Sequence, residues 1–255
     1  MFDKSLIFLD QCTDSELEDL VNLIKEQSTE YLTPRAVYKK YYPQHSKYVE
    51  AIKEEIQWFG GNTIANAWRG HGVLYSEIVR DVADKLDVDY CSFDTDESIE
   101  AKILLHFLQK AYDRMSPEQQ EQCGIDSFQI RLTQQRLSLI PYANMAAMTI
   151  FQLGGFQSYQ LSVIVANTVW KFLFNKGLSF AANSTLTKAL STWAGPLGWA
   201  ITLTWATIDI AGPAYRVTIP AVIYTIMLER KRKYSIKPKA GIVNRVQGWL
   251  KWSKE

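Results

Sequence analysis

From Leu137 to Trp170 the chain runs 34 residues without a charged side chain, and a second uncharged run extends from Ala189 to Ile208. Segments of that length cannot lie on a solvated surface throughout. As helices they are buried nearly all round or they face lipid. The net charge of +1 hides this layout. Residues 1–136 hold 24 acids against 15 bases, and residues 137–228 hold Asp209 against Lys171, Lys176, Lys188 and Arg216. Residues 229–255 hold two acids against nine bases. The order is an acidic front, a nearly uncharged middle and a basic end, and the chain divides into regions 1–136, 137–228 and 229–255 on that ground.

Periodicity decides the fold class. Leu17, Leu20, Val21 and Ile24 follow a capping box made by Thr13 and Glu16. Val49, Ile52, Ile56 and Phe59 recur at three- and four-residue steps, as do Leu74, Ile78, Val82 and Leu86, and Ile99, Ile103 and Phe107. Thr33-Pro34 and Ser116-Pro117 each place a hydroxyl ahead of a proline, the order expected at a helix start. No sustained period-two alternation occurs. The pattern predicts an all-α, multi-helix globular protein with an apolar C-terminal helical hairpin. With 47% apolar and 22% charged residues, bulk disorder is excluded.

Cys12, Cys91 and Cys123 form no C-x-x-C pair, so neither a zinc ribbon nor a disulfide framework is indicated. The opening "MFDKSLIFLDQ" sets acids around a very short apolar run, unlike a signal peptide. The expected location is the cytoplasm, with peripheral attachment at the inner membrane as an extension of it.

The densest polar feature is "WFGGNTIANAWRGHGVLYSE", Trp58 to Glu77. Its glycines suit a helix end followed by a second turn at Gly70-His71-Gly72, which makes a rigid corner the leading reading. The alternative is an enzyme or small-anion site, with Arg69 closing on a phosphate or carboxylate, His71 acting as a base, and Asn62 and Asn66 one helical turn apart. No P-loop string is present, no strand precedes the glycines, and no nucleophile elbow occurs. No catalytic residue, cofactor or metal is therefore assigned. Asn62, Asn66, Arg69 and His71 remain the candidate polar cluster.

The string "FGGNTIANAWRGHGVLYSEIVRDVADKL" resembles the YaaW-type family of bacterial proteins. "GPAYRVTIPAV", Gly212 to Val222, is similar to its second signature, and "FLDQCTDSELEDLVNLI" to the helical module that opens many members. The resemblance implies a distant grouping with ubiquinol–cytochrome c chaperones, which assist assembly of a respiratory complex. It implies no enzyme activity, and so gives no residue a catalytic role.

In the back half, Ala194-Gly195-Pro196 and Ala211-Gly212-Pro213 each precede an apolar run, "LGWAITLTWATIDI" and "AYRVTIPAVIYTIML". With proline placed as a helix opener, the pair reads as a hairpin. Both runs fall short of the about 20 apolar residues a bilayer span needs. Arg216 and Pro220 interrupt the second, and Asp209 with Arg216 would make a buried ion pair. Against that, the nine bases after Leu228, interleaved with Trp249 and Trp252, suit an anionic leaflet. Soluble core and membrane association both stay open. Trp193, Trp199, Trp205, Trp249 and Trp252 are the expected contacts with a membrane or partner. The expected partner is a protein or an anionic membrane surface; nucleic acid is disfavoured by the acidic front, and a homo-oligomer is a third outcome.

Overall fold

In the computed structural model, which describes residues 3–26, 30–60, 70–122, 156–179, 187–211 and 215–235, every regular element among the described residues is helical. Among the described residues, short 3-10 turns at Lys4–Gln11 and His45–Tyr48 accompany nine α-helices. These are α1 (Asp14–Lys25), α2 (Ala36–Tyr41), α3 (Val49–Gly60), α4 (Tyr75–Lys85), α5 (Asp96–Tyr112), α6 (Pro117–Gln122), α7 (Phe156–Phe174), α8 (Thr187–Ala211) and α9 (Tyr215–Ser235). The all-α expectation holds.

Local chemistry explains most of the boundaries. Glu16 N–H donates to the Thr13 hydroxyl while the Glu16 carboxylate returns to Thr13 N–H at 2.7 Å, completing the capping box. Ser116 and Gln119 cap α6 in the same reciprocal way, at 2.9 and 3.3 Å. Thr33 behaves differently. Its N–H and hydroxyl both turn back to Glu30, so nothing is left to cap α2, which starts later at Ala36 behind Arg35.

Helices from both sides of the compositional boundary share one core. Helix α7 lies against α8 and α9, α8 packs on α5, and α9 reaches α1, α3 and α4 as well as α7. Every residue of α9 from Val217 to Leu228 is buried. A helix covered on all sides has no use for a polar stripe, which is why this run reads as uniformly apolar. The expected hairpin of α8 and α9 is not what organises them, because each packs more extensively on α7 than on the other. Nor does proline open α8: Pro196 sits inside a helix that begins at Thr187, and Pro220 sits inside α9 without ending it. Burial of Trp193, Leu197, Ala200 and Ile201 on one side, and of the whole central part of α9 on the other, outweighs the missing N–H. No helix among the described residues is long and apolar enough to cross a membrane.

Polar ties stitch this core. Asp19, fully buried on α1, accepts Ser179 N–H and Ser179 hydroxyl, both at 2.8 Å, just after α7. Burial raises its carboxyl above the ordinary range, and those donors counter the rise. Tyr224 of α9 donates to the Glu16 carbonyl at 2.7 Å and stacks 4.8 Å from the Trp170 ring. Tyr224→Phe keeps the ring and removes its hydrogen bond to the carbonyl; chemical denaturation is expected to show a loss of about 1 kcal/mol.

Candidate functional site

Only part of the glycine-rich corner falls within the described residues. Asn62, Asn66 and Arg69 lie outside them. Gly70 adopts φ 73°, a left-handed turn that side chains resist. At Gly72 the chain passes against the end of α3, where any Cβ would collide with the Gln57 backbone, and Val73 N–H donates to the Gln57 carbonyl at 3.1 Å. The half-buried His71 donates from Nδ1 to the Gly72 carbonyl at 2.8 Å. Asp3 then reaches across from the chain start to accept Tyr75 N–H at 2.6 Å, capping α4. These hydrogen bonds hold the chain's change of direction between α3 and α4.

The tryptophans separate into two groups. Trp193 and Trp205 are 1% and 5% exposed and belong to the core, whereas Trp199 is 36% exposed. Trp249 and Trp252 lie outside the described residues. Arg216 is exposed on the first turn of α9, and the Asp209 side chain lies outside the described residues.

Around Trp199 the outer face of α8 is apolar. Gly195, Trp199, Thr202, Leu203 and Ala206 recur at three- and four-residue steps and all are exposed, Leu203 at 46%. Phe172 of α7, exposed at 39%, joins them beside Trp205, with ring centroids 5.6 Å apart. The Arg114 guanidinium, just past α5, lies 3.8 Å from the centre of the Trp199 ring.

Between α7 and α8 this face dips into a cleft of about 270 Å³, lined by Asn167, Thr168, Lys171, Phe172, Gly198 and Thr202, with Ala194 at its side. Asn167 is 5% exposed, and its Oδ1 accepts Leu178 N–H at 3.1 Å. The Thr168 and Thr202 hydroxyls donate to the Ile164 and Gly198 carbonyls, each at 2.8 Å. Lys171 is exposed at the rim and makes no ion pair among the described residues. No sequence motif marks these residues. One signal for them was present: Gly195 and Gly198 stand mid-helix, where glycine costs about 1 kcal/mol relative to alanine. Neither has anything within 4 Å of where a Cβ would stand.

The basic end of the chain is partly spent internally. Arg230 is 3% exposed and donates to the Ser158 hydroxyl at 2.7 Å. Lys231 pairs with Glu16 at 2.7 Å, Lys233 with Glu97, and Arg232 donates to Gln11. These bases answer the acidic front half. Another polar group joins the buried Tyr75 and Glu100 with the half-buried Glu229, the Tyr75 hydroxyl donating to Glu100 at 2.9 Å. No group of three or more His, Cys, Asp or Glu side chains among the described residues could hold a metal.

Fold and surface together define an all-helical protein with a shared core and, among the described residues, an open apolar helix face. Sequence comparison supplies the family. A UPF0174 protein of Helicobacter pylori strain J99 is 41% identical over 252 residues, covering 94% of this chain and 96% of the relative. Another UPF0174 protein of that strain is 36% identical over 209 residues, 80% of this chain and 98% of its own. The UPF0174 protein YaaW of Escherichia coli K12 is 28% identical over 239 residues, 89% and 94%. The chain belongs to the UPF0174 family. No family model matches it, and no solved structure matches it.

Proposed function

We propose that the chain is a non-enzymatic interaction protein that works from the cytoplasm at an anionic membrane surface, docking through the outer face of α8. The observation that carries this is the exposure of Trp199, Leu203 and Phe172 on a face with no carboxylate among its described side chains, flanked by the bases Arg114 and Lys171. Tryptophan favours the boundary between headgroups and acyl chains, and each nearby base adds about 1 kcal/mol toward an anionic leaflet. The sequence after Ser235 contributes Lys237, Lys239, Arg245, Lys251 and Lys254 with Trp249 and Trp252. Surface attachment needs no spanning helix. Assistance in assembling a membrane protein, the role implied by the chaperone grouping, is the form of this activity that such a dock serves.

Flotation with vesicles of phosphatidylglycerol and phosphatidylcholine at low salt tests it. The wild-type chain is expected to rise with the vesicles, and the double variant Trp199→Asp/Leu203→Asp to stay below. Wild-type protein that remains in the soluble fraction overturns the reading. So does a stable dimer by light scattering that the double variant abolishes while vesicles are ignored.

A further inference from the structure

The cleft between α7 and α8 has a donor arrangement that the apolar face alone does not explain. Asn167 is nearly buried, and its carbonyl oxygen is fixed from behind by Leu178 N–H. That bond orients the amide. Its NH2 group, which has no hydrogen-bond partner among the described residues, is left for the cleft that Asn167 lines. Lys171 stands one helical turn further along α7 on the same face and adds an ammonium at the rim. No carboxylate lines the cleft among the described residues. Its polar hydrogens therefore come from an amide and a cation. That combination suits an oxyanion, since charge-assisted hydrogen bonds to anions are about twice as strong as neutral ones.

The hydroxyls complete the pattern. Thr168 and Thr202 spend their hydrogens on helix carbonyls, so inside the cleft they offer oxygen lone pairs to a ligand that donates. The remaining wall is apolar, formed by Phe172 and Ala194, and Gly198 leaves open space where a side chain would stand. On the same helix Trp199 and Leu203, each one residue on from a lining position, are exposed. Donors for an anion, acceptors for a hydroxyl and an exposed apolar strip thus lie on neighbouring positions of α7 and α8.

Resting on the membrane reading above, we propose that this cleft binds the headgroup of a single hydroxyl-bearing anionic phospholipid. The phosphodiester lies against Lys171 and the Asn167 amide, the headgroup hydroxyls donate to Thr168 and Thr202, and the acyl chains leave along Trp199 and Leu203. The occupant is a lipid because the donors and the apolar strip adjoin, and a free phosphate would use only the first.

Gly198→Leu fills the cleft, and because nothing of the fold lies within 4 Å of the added Cβ, the helix tolerates it. Lys171→Met removes the cation, and Asn167→Asp keeps the acceptor for Leu178 N–H while removing the donors. The probes are dihexanoyl phosphatidylglycerol below its micelle concentration, glycerol phosphate and inorganic phosphate, titrated calorimetrically into the full chain. Wild-type protein is expected to bind the short-chain lipid at least about tenfold more tightly than either phosphate. Lys171→Met should weaken it about fivefold, and Gly198→Leu should abolish it with the thermal midpoint unchanged or raised. Equal affinity for lipid and inorganic phosphate overturns the lipid in favour of a free anion. An acidic peptide that displaces the lipid and binds more tightly overturns it in favour of a protein partner. Vesicle flotation that survives Gly198→Leu and Lys171→Met but is lost in Trp199→Asp/Leu203→Asp sinks the cleft and leaves the membrane reading standing. Saturable lipid binding in the cleft without any flotation upholds the cleft and sinks that reading.

Discussion

Asp94→Ala is expected to destabilise the fold by about 3–5 kcal/mol, because it leaves an ammonium buried without its counter-ion. The Lys102 and Asp94 side chains are 6% and 1% exposed, and Lys102 Nζ lies 2.8 Å from Asp94 Oδ2. The same carboxylate accepts Cys91 N–H at 2.8 Å and the Ser98 hydroxyl at 3.4 Å, so it also holds the loop entering α5. Lys102 is buried because α5 is covered on several sides, by α4, α7, α8 and α9. The double variant Asp94→Ala/Lys102→Met is expected to recover part of the loss, since a thioether chain of similar length needs no counter-charge. Urea unfolding of the four proteins of the cycle gives the coupling. Equal destabilisation in the single and double variants would show that the loop contacts carry the effect and the ion pair does not.

Such a residue also marks where the sequence becomes hard to read. Stripes such as Ile99, Ile103 and Phe107 predict α5 correctly, and all three side chains are fully buried. Periodicity supposes that the other face meets water, and for α5 it does not: Ser98, Glu100 and Lys102 are buried as well. Which polar residues are interior depends on helices that arrive much later in the chain. The charge layout is legible for the same reason in reverse. An acidic front and a basic end suggest attraction to an external surface, yet Lys231 and Lys233 pair with Glu16 and Glu97 inside the molecule. Complementary charge far apart in sequence has an internal solution that composition cannot distinguish from an external one. Proline misled at Pro196 because a local rule about helix starts yields to the burial of Trp193 and Leu197. The cleft was hidden for a simpler reason. Asn167, Lys171 and Gly198 form no motif, and only the approach of two helices brings them together.

Glu100→Ala is expected to cost about 3 kcal/mol or more, while Glu100→Gln at pH 7 should stay within about 1 kcal/mol of the parent. The contrast follows from what each leaves behind. Glutamine still accepts from the Tyr75 hydroxyl and still donates toward Glu229, whereas alanine strands both in a core where Glu100 is 2% exposed. Burial, and then the charge of Glu229, push the Glu100 carboxyl well above its ordinary value of 4.5; the Tyr75 hydrogen bond and Arg230 oppose that rise. A carboxyl raised in the folded state keeps a proton that the unfolded chain has released. Its stabilising contribution is complete below the unfolded value and is lost as pH rises through the folded one. His106 acts in the opposite sense, since burial first and Lys110 second lower it to about 4, so it costs stability as pH falls below 6.5. Cys12, raised by burial from 9.0 to about 11, affects only the alkaline end. Between about pH 7 and 8 both are close to silent, given their values in the two states. Thermal melts from about pH 5 upward are expected to show Glu100→Gln losing less stability than the parent as pH rises. Parallel slopes in the two proteins would mean that Glu100 is already ionised in the folded core, held there by Arg230.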